Sequence, residues 1–436
     1  MLADLKKEHG PVIGRYAMLG TAEVLARVIG FAATLVVVFR FGDAGFGRVT
    51  FAASVVMYAL FLSVFGTDIY AVRWIAREPG HVGRAVSTMM ALRLVVAAIV
   101  MALLLLVAML SSRLRQDLGL IAVFGGTLVS GAVTINWVPQ ALQRFSALAV
   151  ASLGTQALYL LLLLAAVWLR TDLWVVPTAQ VLAETAVAIG LLVWLRARVT
   201  RWARPAPLRE WWTILVDSAP IGGARFLRMF ALGSDLVLLG FLVSNQDLGW
   251  YGGAYKLFML CVSLGALYFV ILLPRLVQAA ARPGPGLRDE VASSQKCVLV
   301  GSLALAAALM LLSRPLLETL FPAPFSAATN SLRVLIVAFV IGQIHGHYRN
   351  TLLAVGRQRT DLLLVAITST AHVGLKLALI PWLGILGAAV GTLIGETLLA
   401  ILGWAATRRE LAAGASQTST SPAPAQLTSV TSAARL

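Results

Sequence analysis

The chain has 436 residues, of which 59% are hydrophobic and only 12% are charged. A soluble domain has about 25% charged residues, and one soluble core could not hide this much apolar surface, so the composition excludes a water-soluble protein. The two cysteines exclude a disulfide framework, and the formal charge of +16 is explained by basic membrane-flanking loops better than by nucleic-acid binding.

Twelve apolar segments, each near the ~20 residues that a bilayer requires, predict an all-α integral membrane protein. The first residues, MLADLKKEHG, predict a short interfacial helix and no cleavable signal peptide. The predicted spans are 13–39, 46–68, 84–110, 118–139, 147–169, 174–195, 213–241, 247–273, 291–313, 331–354, 361–381 and 385–406.

These spans divide the chain into two lobes. Residues 1–200 carry spans one to six, 201–212 form a basic cytoplasmic linker, 213–410 carry spans seven to twelve, and 411–436 are predicted to be a disordered tail. Most of the 35 Lys and Arg residues fall in alternate loops. Because cytoplasmic loops carry the excess of basic residues, both termini are predicted to be cytoplasmic.

The two lobes echo each other. RFGDAGFGRVTFA follows span one and VSNQDLGWYGGAYK follows span seven, so that Asp43 and Gly45 correspond to Asp247 and Gly249. Each is predicted to be a short outer turn in which the glycine adopts a positive φ. Two lobes in the same orientation, related by a pseudo-two-fold axis along the membrane normal, place a substrate path at their interface.

Span seven, IGGARFLRMFALGSDLVLLGFL, carries charges that lipid cannot solvate. On a helix, Asp217, Arg228 and Asp235 lie within about 40° of one another, and Arg225 lies about 60° from Arg228. The opposite face, with Phe226, is uncharged. The charged face is therefore predicted to line the interior of the protein or a water-filled cavity.

Charges within the other predicted spans extend this pattern. Basic residues outnumber acidic ones there, which favours an anionic passenger, and arginine suits phosphate because its planar fork bonds two oxygens. The candidate residues for binding a pyrophosphate or glycan are Arg27, Arg93, Arg225, Arg228, Lys256, Arg349 and Lys376. The candidates for ion coupling or gating are Glu23, Glu184, Asp217, Asp235 and Glu396.

Several of these charges have a structural alternative. Glu23 and Arg27 are four residues apart and could neutralise each other. Glu184 and Glu396 could be locking ion pairs or proton sites. In span ten, His345 and His347 could bind a metal only with a third ligand, which the sequence does not offer, so no metal or other cofactor is expected.

The ordered motifs resemble the Wzx-type polysaccharide flippases of the multidrug/oligosaccharidyl-lipid/polysaccharide (MOP) exporter superfamily. The resemblance covers nearly the whole chain and is carried by these segments: RFGDAGFGRVTFAASV with FGTDIYAVRWIA; APIGGARFLRMFALGSDLVLLGFLVSNQDLGWYGGAYKL with Pro220, Asp235, Gly249, Tyr251 and Tyr255; LLPRL at 272–276; and LIPWLGILGAAVGTLIGE with Pro381, Gly384, Gly387 and Ala388.

This resemblance implies two six-helix lobes in a V shape, alternating access, and a bacterial cytoplasmic membrane. It implies an undecaprenyl-pyrophosphate-linked glycan, the repeat unit of O-antigen, capsule or exopolysaccharide, as the substrate. H⁺ or Na⁺ and a polysaccharide polymerase are further candidate partners, and nucleic acid is not expected.

Three alternatives remain. The lipid II flippase of the superfamily has two further spans, which a polar tail replaces here. Multidrug exporters of the superfamily carry organic cations, which a cation-rich cavity suits poorly. A membrane glycan ligase or glycosyltransferase needs a large outer loop or an acidic DxD motif, and the sequence has neither, so no enzymatic activity is expected.

Overall fold

The computed structural model describes residues 2–169, 172–199, 203–281, 286–322 and 324–419, and within these ranges all regular structure is helical. Two 3₁₀ turns, Pro79–His81 and Phe325–Ala328, accompany the α-helices. The α-helices are α1 (Leu2–Val64), α2 (Thr67–Arg77), α3 (Val82–Leu110), α4 (Ser112–Arg115), α5 (Leu118–Phe124), α6 (Gly126–Val133), α7 (Trp137–Ala141), α8 (Phe145–Trp168), α9 (Val175–Arg198), α10 (Leu208–Leu242), α11 (Asn245–Ala280), α12 (Gly286–Leu320), α13 (Thr329–Ala354), α14 (Gln358–Leu383) and α15 (Ile385–Ser419).

Ten helical stretches in the described residues are long and apolar enough to cross a bilayer. The first, Met18–Arg77, has 60 residues and holds more than one crossing, because α1 bends at Gly42, where φ is 71°. Among the described residues, α10 also contains the shorter apolar stretch Gly233–Leu242. With α1 crossing twice and α10 crossing once, the helices match the twelve predicted spans.

Some boundaries differ from the sequence prediction. The predicted fourth span is broken into the consecutive pieces α5, α6 and α7. The last helix continues to Ser419, beyond the predicted start of the tail at 411, and residues 420–436 lie outside the described residues. The predicted linker is shorter than expected, because α10 begins at Leu208, directly after Pro207, whose φ of −62° leads the chain into the helix.

The predicted conformation of the repeated Asp-x-Gly motifs is wrong. The positive φ belongs to Gly42 and not to Gly45, and Gly249 lies inside the helix α11. Gly249 serves close packing: a Cβ added to it would lie 2.1 Å from the carbonyl oxygen of Asp43, and one added to Gly47 would lie 1.8 Å from that of Asn245. The two motifs therefore pack against each other, and we call Asp43, Gly47, Asn245 and Gly249 the glycine seal.

The apolar core joins the two halves more extensively at one end of the molecule than at the other. The N-terminal half (residues up to 199) and the C-terminal half (from 203) share one large cluster at the glycine-seal end, where Phe46 and Phe51 pack with Tyr251 and Phe325. At the opposite end, a smaller cluster around Ile75 and Trp137 takes in Ile214 of the C-terminal half, and a separate cluster around Leu272 and Leu276 lies within the C-terminal half. The halves therefore hold together most firmly at the predicted outer end.

Candidate functional site

Arg27 on α1 faces the space between the two halves. Gly20 and Phe31 lie within about 40° of it on the same helix face, and both contact the C-terminal half. A Cβ on Gly20 would lie 3.2 Å from Leu267, and the rings of Phe31 and Phe321 are 6.1 Å apart. Arg27 is exposed and has no hydrogen-bond or ion-pair partner among the described residues.

Lys256 on α11 faces the same space from the other side. It shares a helix face with Gly252, which packs against Phe46 of the N-terminal half, and with Leu267, which meets Gly20. A helix rises ~1.5 Å per residue. From the Gly20–Leu267 contact toward the glycine seal, Lys256 therefore lies about 16 Å along α11 and Arg27 about 10 Å along α1. The two cations thus occupy neighbouring levels, and Lys256 is likewise exposed and unpartnered within the described residues.

The uncharged face of α10 is a contact between the halves. Phe226 and Phe230 stack with ring centroids 5.9 Å apart, and both meet the ring of Tyr58 in α1. Arg228 lies on a different face and is exposed, with no ion-pair partner in the described part of the chain. It is within electrostatic range of Glu396 and of the Arg349–Asp361 pair.

Arg225 crosses between the halves. Its Nη1 donates to Oδ2 of Asp68 in α2 at 2.7 Å, with side chains 48% and 30% exposed respectively. One turn away, Gly222 and Gly66 approach so closely that a Cβ on Gly66 would lie 2.7 Å from the Gly222 nitrogen. We call Gly66, Asp68, Gly222 and Arg225 the ion-pair seal.

Asp235 and Lys376 form an ion pair with no exposed surface at all. The Asp235 carboxylate also accepts hydrogen bonds from the Tyr251 hydroxyl and from Thr392 Oγ1, the latter at 3.1 Å. Lys376 Nζ donates to Ser234 Oγ at 3.2 Å. Both charges are therefore neutralised inside the C-terminal half, away from the space between the halves.

Glu396 and His345 form a second buried pair in the same half, one turn of α15 beyond Thr392. Their side chains are 6% and 13% exposed. His372 packs directly against the neighbouring residue, because a Cβ on Gly395 would collide with its ring.

Further along the C-terminal half, Arg349 makes a bidentate pair with Asp361, with N–O distances of 2.6 and 2.9 Å. His347 shares a hydrogen bond of 2.8 Å with Ser294. Arg349 is thus paired within one half, and a role in substrate binding would require this buried pair to break.

Two of the candidates in the N-terminal half, Arg93 and Glu184, are also bound within that half. Arg93 is 3% exposed, donates from Nε to Thr67 Oγ1 at 2.8 Å, and lies over the Trp137 ring at 5.9 Å. Glu184 accepts hydrogen bonds from Ser130 at 2.7 Å and Gln180 at 3.0 Å.

Glu23 and Asp217 have no ion-pair partner among the described residues. The structure contains no ion pair between Glu23 and Arg27, so the alternative that they neutralise each other is wrong in this conformation. Asp217 is exposed and separate from the buried Asp235, although both belong to the same helical stripe.

A family model described as polysaccharide biosynthesis protein matches residues 15–280, which is more than half of the chain. The chain belongs to this polysaccharide biosynthesis protein family. The resemblance that the motifs indicated is confirmed at the level of the family. A search of curated proteins found no match.

Solved structures show the fold of this family member. The lipid II flippase MurJ, in an inward closed conformation, is 12% identical with a TM-score of 0.76, covering 92% of this chain and 90% of that one. An inward-facing multidrug resistance MATE family transporter of the MOP superfamily is 17% identical, with coverages of 91% and 95% and a TM-score of 0.66. An outward-facing MATE family transporter of the MOP superfamily is 16% identical, with a TM-score of 0.61, covering 92% of this chain and 96% of that one.

These identities support the fold alone, and that fold is the predicted one.

The polysaccharide biosynthesis family member also carries contacts that sequence reasoning missed. Asp68 lies in the motif FGTDIYAVRWIA but is not among the predicted site residues, and Arg113 lies in the short connection between the predicted spans 84–110 and 118–139. Arg113 donates to the Gly240 carbonyl at 2.7 Å and to Asn245 Oδ1 at 2.5 Å, and lies 4.4 Å from the centre of the Phe51 ring.

Proposed function

We propose that this protein moves a polyprenyl-pyrophosphate-linked oligosaccharide from the cytoplasmic to the outer leaflet by alternating access, without covalent chemistry. Support comes from the polysaccharide biosynthesis family and from a fold that a lipid II flippase also has. The observation that carries the proposal is a set of exposed cations without ion-pair partners among the described residues: Arg27 and Lys256, which face the space between the halves, and Arg228 on α10.

Unpaired cations at membrane depth are costly, by at least about 2.5–3.5 kcal/mol each on insertion scales. A bound pyrophosphate would offset that cost, because it brings two negative charges to the same space. We assign the first contacts to Arg27, Arg228 and Lys256. Arg225 joins them when its exposed pair with Asp68 opens, whereas Arg93, Arg349 and Lys376 hold the two halves in shape.

The same charges argue against an organic-cation exporter, since the passenger would meet three uncompensated positive charges. In this scheme the pyrophosphate and its glycan pass through the space between the halves, while the polyprenyl tail stays in the bilayer.

The test is export of surface polysaccharide in a strain that lacks its own copy of the protein. Arg228→Ala should abolish surface glycan while membrane abundance stays normal, and Arg228→Lys should restore it only in part, because a point charge replaces a bidentate fork. Arg314→Ala is the matched control, since that arginine is exposed and paired only with Glu318 on its own helix. Normal export by Arg228→Ala would remove Arg228 from the site.

We further propose a bacterial cytoplasmic membrane location with both termini in the cytoplasm. Of the native cysteines, Cys297 is exposed and Cys261 is buried. In a Cys297→Ser background, a cysteine added at the tail should resist a membrane-impermeant reagent in intact cells and react after lysis. Labelling in intact cells would show that the tail lies outside the cytoplasm and would contradict the proposed topology. H⁺ or Na⁺ and a polymerase that consumes the outer-leaflet product are the proposed partners.

A further inference from the structure

The C-terminal half contains two buried carboxylates whose surroundings differ. A permanent cation, Lys376, pairs with Oδ1 of Asp235, and the hydroxyl groups of Tyr251 and Thr392 both donate to Oδ2. Because a fixed positive charge already neutralises this carboxylate, we assign it a structural role.

Glu396 is different because its direct partner is an imidazole. Histidine is the side chain whose charge changes most readily near neutral pH. The second ring nitrogen of His345, Nδ1, is buried and has no hydrogen-bond partner among the described residues. The pair can therefore gain or lose a proton without breaking another hydrogen bond.

The groups that face Glu396 come from four neighbouring helices. They are Arg228 of α10, Tyr255 of α11, His345 of α13, and His372 and Lys376 of α14. Lys376 is committed to Asp235. All but Tyr255 are basic, and a sodium ion requires oxygen ligands, so this environment suits a proton better than a metal cation.

We propose that the Glu396–His345 pair binds a proton that is coupled to pyrophosphate binding at Arg228. This inference rests on the function proposed above. Because α10 packs against α15, ionised Glu396 attracts Arg228 and competes with a phosphate anion for it. A proton on the pair removes that competition, and by reciprocity a bound anion increases the affinity of the pair for a proton.

The coupling can be measured on the purified full-length protein. The probe is a farnesyl-pyrophosphoryl sugar, because a pyrophosphate diester does not itself titrate near neutral pH. In weakly buffered solution with a pH indicator, the wild type should take up protons as the probe binds. Where uptake reaches one proton per probe, affinity should rise about tenfold for each unit fall in pH.

Glu396→Gln should bind the probe with an affinity that is independent of pH, and without proton uptake. His345→Gln, which keeps the Glu396 carboxylate, should lose most of the proton uptake. This variant provides the test if Glu396→Gln does not fold. Glu318→Gln, an exposed carboxylate on α12, is the matched control and should behave like the wild type. Uptake retained in both site variants, or affinity that follows sodium concentration at constant pH, would overturn the coupling.

Failure of the two proposals would look different. If the wild type does not bind the probe at any pH, the proposed function fails. If the probe binds and no proton is taken up, the function stands and only the coupling fails.

Discussion

The glycine seal and the ion-pair seal both join the two halves through glycine backbones, yet their surroundings differ. The glycine seal belongs to an apolar core that the halves share, and Arg113 bridges it through a backbone carbonyl and Asn245. The ion-pair seal lies beside a smaller cluster that Ile214 of α10 shares with the N-terminal half, and the ion pairs that cross between the halves there, Arg225–Asp68 and Arg84–Glu210, are both partly exposed. Opening should therefore begin at the ion-pair seal, and this conformation is poised toward the predicted cytoplasmic side.

The largest expected effect comes from a methyl group in the glycine seal. Gly249→Ala would place a Cβ 2.1 Å from the Asp43 carbonyl, so the seal could not close and export should fall by about a hundredfold or more. Spin labels at Ala44 and Leu242, both exposed, should report a longer distance. Leu248 is fully buried and is unsuitable as a label position.

Gly190→Ala is the matched control for that substitution, because no atom lies within 4 Å of the added Cβ. It should leave export and the label distance unchanged. Wild-type export by Gly249→Ala, with an unchanged distance, would show that the glycine seal does not limit closure.

A smaller effect is expected from Arg113→Gln. Hydrogen bonds from a charged group contribute roughly 1.5–3 kcal/mol each, so the balance between closed and open glycine seal should shift by about ten- to a hundredfold toward open. The population of the long Ala44–Leu242 distance measures this shift. Arg115→Gln, two residues away and exposed, should have no effect, and equal behaviour of the two variants would contradict a clamping role for Arg113.

The smallest effect belongs to the ion-pair seal. An exposed ion pair contributes about 0–1 kcal/mol, so Asp68→Asn or Arg225→Gln should favour opening at that end by no more than about fivefold. Labels at the exposed positions Arg73 and Trp212 would follow it. The double exchange of Asp68→Arg with Arg225→Asp should restore the wild-type distribution of label distances. If Asp68→Asn or Arg225→Gln shifted this distribution as much as Arg113→Gln shifts its own, the proposed order of the two seals would be reversed.

The sequence predicted the twelve spans, the family and the charged face of α10, because each depends on local composition or on helical periodicity. It could not predict which charges were already neutralised. Lys376 was assigned to the substrate as a cation within a predicted span, yet its partner Asp235 lies on α10 and meets it only through tertiary packing. Arg349 was assigned in the same way, and its partner Asp361 is on the next helix.

The glycines illustrate a second limit. A repeated Asp-x-Gly motif indicates a turn, and positive φ was the expected reason for Gly45 and Gly249. Gly249 is helical, and the reason for its missing side chain is a carbonyl oxygen from the other half of the protein. Nothing within one short motif specifies such a contact.

The shared apolar core has a consequence for the membrane itself. In water, separating such a core would expose apolar surface at about 25 cal/mol per Å². In a bilayer the opening crevice fills with acyl chains that are as apolar as leucine, so this penalty is absent and only tight packing opposes separation. Lipids then compete with the protein for its own interface. Chains that pack well into the crevice should favour the open form, and the transport rate should depend on the acyl composition of the host membrane as well as on the substrate.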